Sequence, residues 1–146
     1  MPYTCRWIEA DLLSWASDPT GDGEAPIDIL HSAFAIHHLS DAQKQAFLEA
    51  IRARIAPGGL FIWVDVFREP GESREAYVQR YQQRIATGWP QLSSEHQNHV
   101  SSHLTVYDNP ADRAAIAETA ATAGWQWRWA WNGAHRAEAM ALLTPA

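Results

Sequence analysis

Two short apolar runs, Ile27-Asp28-Ile29-Leu30 and Leu60 to Val64, flank one capped helix, and this arrangement constrains the chain more than any other feature. Neither run alternates apolar with polar residues, the pattern of strands covered on both faces. Between them, Ser40 and Gln43 make a capping box, in which the serine hydroxyl accepts a backbone N–H while the glutamine side chain reaches back. Phe47, Leu48, Ile51 and Ile55 follow at helical spacing, and Pro57-Gly58-Gly59 ends the helix. A strand, a helix and a strand in this order join by a right-handed crossover. The expected fold class is α/β, with a mainly parallel sheet and helices on both faces.

The flanking segments extend that unit. Tyr3, Cys5 and Trp7 alternate with Thr4 and Arg6, so the first segment reads as a strand delivering Asp11 at its C-terminal end. Asp18 to Pro26 is dense in turn formers and reads as a loop. The stretch 72–87 places Tyr77, Val78, Tyr81 and Ile85 on one helical stripe, and a polar segment, 93–102, follows it. Asn109-Pro110 predicts the start of a third helix, stopping at Gly124. Trp125, Trp127, Trp129 and Trp131 then alternate with smaller or polar residues, an indole face that reads as core packing. Asn132-Gly133 is a turn signal, and 138–143 returns as the second strand of an antiparallel hairpin.

At 146 residues the chain makes one domain. Eleven basic against 17 acidic residues give a net charge of −6, and Lys44 is the only lysine. A surface without a basic cluster argues against a nucleic-acid partner. No apolar run approaches the roughly 20 residues that span a bilayer. The N-terminus lacks the basic-then-apolar run of a secretory signal, and one cysteine, Cys5, makes neither an intrachain disulfide nor a multi-cysteine zinc site. A cytoplasmic location follows as the expectation.

In open α/β sheets, ligands bind beyond the C-terminal ends of the strands. Three such ends are polar here: Asp11, the stretch Ser32 to His38, and Asp65, the last a candidate substrate contact. An imidazole there, His38 or its neighbour His37, is suited to taking a proton near neutral pH. His96, His99 and His103 recur at spacings that would align them on a helix, but no carboxylate pattern stands behind them. No metal is therefore expected, and His103 is read as facing substrate.

The stretch Ile27 to Leu39, then Leu48 to Ile55 and Pro57-Gly58-Gly59-Leu60-Phe61-Ile62, resembles the middle of a class I S-adenosylmethionine-dependent methyltransferase. Ala123-Gly124-Trp125 before a hairpin is similar to that family's last helix and final strands. The resemblance implies S-adenosylmethionine as cofactor and a small-molecule methyl acceptor. It sets Asp11 with Leu12 against the adenine, and Ser32, Ala33 and Phe34 beside the methionine. His38 matches the place where some members keep a general base. The family's sheet order is 3-2-1-4-5-7-6, and its glycine-rich first turn and its ribose-binding carboxylate have no counterpart in this sequence. The resemblance thus implies a sheet that is N-terminally truncated, running from the third strand onward over residues 1–146, with 67–107 as a substrate lid. A chain so built is expected to bind S-adenosylmethionine weakly or not at all and to self-associate through an exposed sheet edge. A non-catalytic methyltransferase-like module binding a protein partner through that edge is the alternative. The fingerprint of an oxidoreductase on a similar sheet is equally missing.

Overall fold

A computed structural model describes residues 4–18 and 26–146. The capping box forms as expected: Ser40 N donates to Gln43 Oε1 (2.8 Å) and Gln43 N to Ser40 Oγ (3.2 Å), starting helix α2, Asp41–Arg54. Strand β1, Ile27–Ala33, precedes it and strand β2, Ile55–Arg68, follows, the two pairing in parallel. β2 is longer at both ends than the apolar run Leu60 to Val64. Gly59 explains the N-terminal extension, since a Cβ there would stand 2.8 Å from Ile27 O and 2.7 Å from the Ile55 side chain. Only a glycine lets β1 come this close.

The hairpin also forms, as β4, Trp125–Asn132, and β5, Glu138–Pro145. β5 pairs antiparallel with β2, so the main sheet runs β1-β2-β5-β4. A two-residue strand β3, Ala111–Asp112, lies parallel to the end of β2 at Phe67 and Arg68. The sheet is therefore mixed, and its order is that of the last four strands, 4-5-7-6, in the resembled fold.

Burial alternates along the run Leu60 to Val64 of β2 and no residue of β1 is fully buried, a correction to the expectation that these two strands are covered on both faces. Phe61, Trp63 and Phe67 of β2, with Ala139, Ala141 and Leu143 of β5, point into one core. α2 closes it with Phe47, Leu48 and Ile51, and helix α5, Arg113–Thr122, with Ile116 and Ala120. Burying each large aliphatic side chain contributes about 1.5–3 kcal/mol. Trp125, Trp127 and Trp129 join this core, and Trp125 Nε1 donates to Leu48 O (3.0 Å). A register shift between Trp129 and Trp131 releases the fourth indole, which is half exposed. On the opposite face a smaller cluster of Val66, Tyr77, Val78 and Ala137 seats helix α3, Arg74–Gly88. β1 forms one edge of the sheet, and Ile29 on it is 65% exposed.

Two further expectations are corrected. The described part of the first segment, 4–11, forms no strand; Asp11 instead caps a short helix α1, Leu12–Ser17, through Ser14 N (2.9 Å). Alternation alone does not make a strand where no sheet edge takes up its hydrogen bonds. Residues 1–3 and most of the predicted loop, 19–25, lie outside the described residues. The third helix begins at Arg113 rather than near Asn109, because Asp112 accepts from Ala114 N and Ala115 N and is the better-placed cap. The polar segment is helical as α4, Ser94–Tyr107, with Ser93 as its cap.

Candidate functional site

β1 stops at Ala33, and the next residue, Phe34, takes a left-handed φ of 51° while its side chain stays exposed. That conformation is costly for a bulky residue and concentrates at functional turns. A 3-10 turn, Ile36–His38, follows directly. Beneath it lies Asp65, fully buried because β2 continues past it beside β5. Asp65 Oδ2 accepts from Ile36 N (3.1 Å), His37 N (3.1 Å) and Trp63 Nε1 (2.9 Å). Its Oδ1 accepts from Val66 N (3.0 Å) and lies 2.6 Å from His37 Nδ1. A carboxylate with five donors around it holds the turn and the imidazole in place. The expectation that Asp65 touches substrate is corrected on this ground, since the side chain reaches no solvent.

The Asp65 carboxylate fixes the His37 tautomer: Nδ1 carries the proton and Nε2 faces the other way. There it meets Asp108, a residue that the sequence reading did not single out. Asp108 Oδ1 stands 3.6 Å from His37 Nε2, 3.9 Å from His38 Nδ1 and 3.6 Å from His103 Nε2. The His37 and His38 rings lie 4.0 Å apart between centroids. Asp108 is buried, and its Oδ1 has no hydrogen-bond partner. His37 is buried too, whereas the His38 and His103 side chains are 41% and 51% exposed. His38 Nδ1 also lies 3.3 Å from Tyr107 O. Of the three histidines at helical spacing only His103 enters this cluster; His96 bonds Ser93 Oγ at the helix cap.

A set of long-range hydrogen bonds delivers Asp108 to the turn. Asn109 N donates to His37 O (2.8 Å) and Asn109 Nδ2 to Leu39 O (3.0 Å). Lys44, fully buried on α2, donates from Nζ to Leu39 O (2.5 Å) and Asn109 O (2.6 Å), with Asp41 at 3.4 Å. Burial holds its ammonium below the ordinary lysine value, and Asp41 offsets part of that. From α3, Arg74 donates to Asp108 O (2.7 Å) and Thr105 O (2.6 Å), closing the end of α4.

Burial pushes the Asp108 carboxyl above its ordinary value, while the His37, His103 and His38 imidazoles pull it down. The fold therefore favours the protonated form: stability is fullest below the unfolded carboxyl's value of about 4 and falls as pH rises through the raised one. Asp108→Asn is thus expected to stabilise the protein at pH 7 by about 1–2 kcal/mol, as removal of an unsatisfied buried charge. The advantage should shrink toward pH 4. Urea midpoints at both pH values test it, and an equal shift at both would assign the effect to packing instead.

Ser32, Ala33 and Phe34 occupy the end of β1 and the turn after it, directly before the cluster. Asp11 and Leu12 stand at the start of α1, whose far end is tied to α2 by Arg54 bonding Trp15 O. The Ser14 backbone N–H, chief among local donors, holds the exposed Asp11 carboxyl below its ordinary value.

Comparison with known proteins agrees with this architecture. No protein-family model matches the chain. In sequence it is 30% identical over 89 residues to an uncharacterized methyltransferase of Geobacillus kaustophilus, covering 60% of this chain and 37% of that protein. The chain thus spans little more than a third of this curated relative. In structure it is similar to DhpI in its SAH complex (TM-score 0.59, 18% identity, covering 97% of this chain and 55% of the other). It is likewise similar to SAH-bound CalO1, a methyltransferase in calicheamicin biosynthesis (TM-score 0.56, 15% identity, covering 95% and 34%). These likenesses establish the fold. No helix among the described residues is long and apolar enough to cross a membrane.

Proposed function

We propose that this chain, built on the C-terminal portion of the class I S-adenosylmethionine-dependent methyltransferase fold, takes part in methyl transfer from S-adenosylmethionine to a small-molecule hydroxyl or amine. The observation that carries this reading is the imidazole–carboxylate cluster beyond the C-terminal ends of β1 and β2, where open α/β sheets bind ligands. Ser32, Ala33 and the strained Phe34 would pass beside the methionine, and Asp11 with Leu12 would meet the adenine. His38, the half-exposed imidazole of the turn, takes the acceptor's proton as the methyl arrives. His37 and Asp65 hold the turn that presents it. His103 stands on the acceptor side, on the α3–α4 segment read as a lid over 67–107. Methyl transfer needs nucleophile, methyl and sulfur in line, so most of the work is positioning. The single free Cys5 is in keeping with a cytoplasmic setting.

The test supplies the first half of the class I sheet to this chain and follows transfer of a labelled methyl group to a panel of small hydroxyl and amine acceptors. His38→Ala is expected to lower turnover roughly 10²-fold with cofactor affinity little changed. Near-normal turnover would remove the base and leave positioning alone. The open edge of β1 favours a second reading, a non-catalytic module that binds a protein partner or a second copy there. The absence of any labelled product across the panel, with a partner bound at that edge, would select it.

A further inference from the structure

We propose that His37 Nε2, His38 Nδ1 and Asp108 Oδ1 form a binding site for a divalent first-row transition-metal ion of the zinc type, with the half-exposed His103 as replaceable fourth donor. The three atoms lie within 4.8 Å of one another. Donors around a tetrahedral ion at about 2.0–2.2 Å stand a little over 3 Å apart, so the 3.6–3.9 Å separations from Asp108 Oδ1 need only small side-chain rotations to close.

Three independent features point to a cation. Asp108 Oδ1 is buried, lacks a hydrogen-bond partner and is surrounded by imidazole nitrogens, an arrangement that a bound cation would satisfy. His37 carries its Nδ1 proton against Asp65 at 2.6 Å, leaving the Nε2 lone pair facing Asp108. A carboxylate behind an imidazole in this way fixes the tautomer and raises the basicity of a metal-bound histidine. The donors also sit on braced backbone, for the 3-10 turn hangs on Asp65 while Asn109 and Lys44 staple the Asp108 loop to it. Two buried carboxylates, Asp65 and Asp108, would then face one divalent charge.

Nitrogen and oxygen donors without a thiolate suit zinc, cobalt or nickel rather than a soft ion. Binding requires His38 Nδ1 to give up its contact with Tyr107 O, which at 3.3 Å is a long hydrogen bond. The inference rests on donor geometry and not on the methyl-transfer reading. If both hold, an acceptor hydroxyl bound to the ion would have its O–H acidified and would lose that proton to solvent water, in place of proton removal by free His38.

The test titrates the metal-free chain with Co²⁺, following its visible d–d bands, and then displaces the Co²⁺ with Zn²⁺. One ion per chain with the intense bands of four-coordinate cobalt is expected. Asp108→Asn and His38→Ala should each weaken binding at least about 10-fold, and His96→Ala, outside the cluster, should not. Acidification should release the ion as protons compete for the imidazoles. Asp108→Asn is expected to fold at least as stably as the parent, so its loss of metal would not be a folding defect. Absence of a cobalt spectrum from the folded chain, or affinity equal to the parent's in both Asp108→Asn and His38→Ala, would overturn the site. Either result would leave labelled-methyl transfer as a separate question.

Discussion

Replacing Asp65 with alanine is expected to lower the unfolding free energy by about 3–5 kcal/mol, the range for removing one partner of a buried charged network. The carboxylate is the acceptor for Ile36 N, His37 N, Val66 N, Trp63 Nε1 and His37 Nδ1, all of them buried around it. Without it these donors face an apolar core, and each one left unsatisfied costs about 1–3 kcal/mol unless the turn shifts to find water. Asp65→Asn keeps the shape but not the chemistry, because its amide NH₂ would point donors at donors. It is expected to lose nearly as much. Urea denaturation followed by tryptophan fluorescence reads the stability, and the Trp63 indole N–H resonance reports whether the local contact is lost. A loss below about 1 kcal/mol for both variants would mean that the 3-10 turn is held by something other than this carboxylate.

Lys44→Met is expected to cost about 3 kcal/mol, by a different balance. Methionine fills much the same buried space and removes the cost of burying an ammonium, the cause of the depressed Lys44 value. It also removes the donor to Leu39 O and Asn109 O. Leu39 O keeps Asn109 Nδ2 at 3.0 Å, whereas Asn109 O loses its Lys44 donor. The loss should therefore be concentrated in the Asp108 loop. Amide exchange should speed up at Asn109, whose N–H bonds His37 O, more than at the α2 amides around position 44. Uniform acceleration across the sheet would make Lys44 a general core residue and not the brace of this loop. The same variant should loosen Asp108 from the histidines, which ties the one lysine of the chain to the geometry of the site.

What the sequence determined by itself was local. The capping box at Ser40 and Gln43, the apolar spacing along α2 and the alternating indoles of β4 involve residues within a few positions of one another, and all of them appear in the structure. The turn carrying His37 and His38 was legible for the same reason, being the end of a strand in an α/β unit. Tertiary structure decided whatever depends on pairing at a distance. Asp108 meets His37 across 71 positions, and Lys44 meets Asn109 across 65. No periodicity records such contacts, because they exist only after α4 and the loop behind it pack over the sheet. Asp65 looked like a strand end open to substrate until β2 proved to continue to Arg68 with β5 and β3 beside it, which buried the carboxylate. The first segment alternates like a strand, yet alternation specifies only which face a strand would bury. Whether it forms depends on pairing with another strand, and that pairing is decided only in the folded molecule.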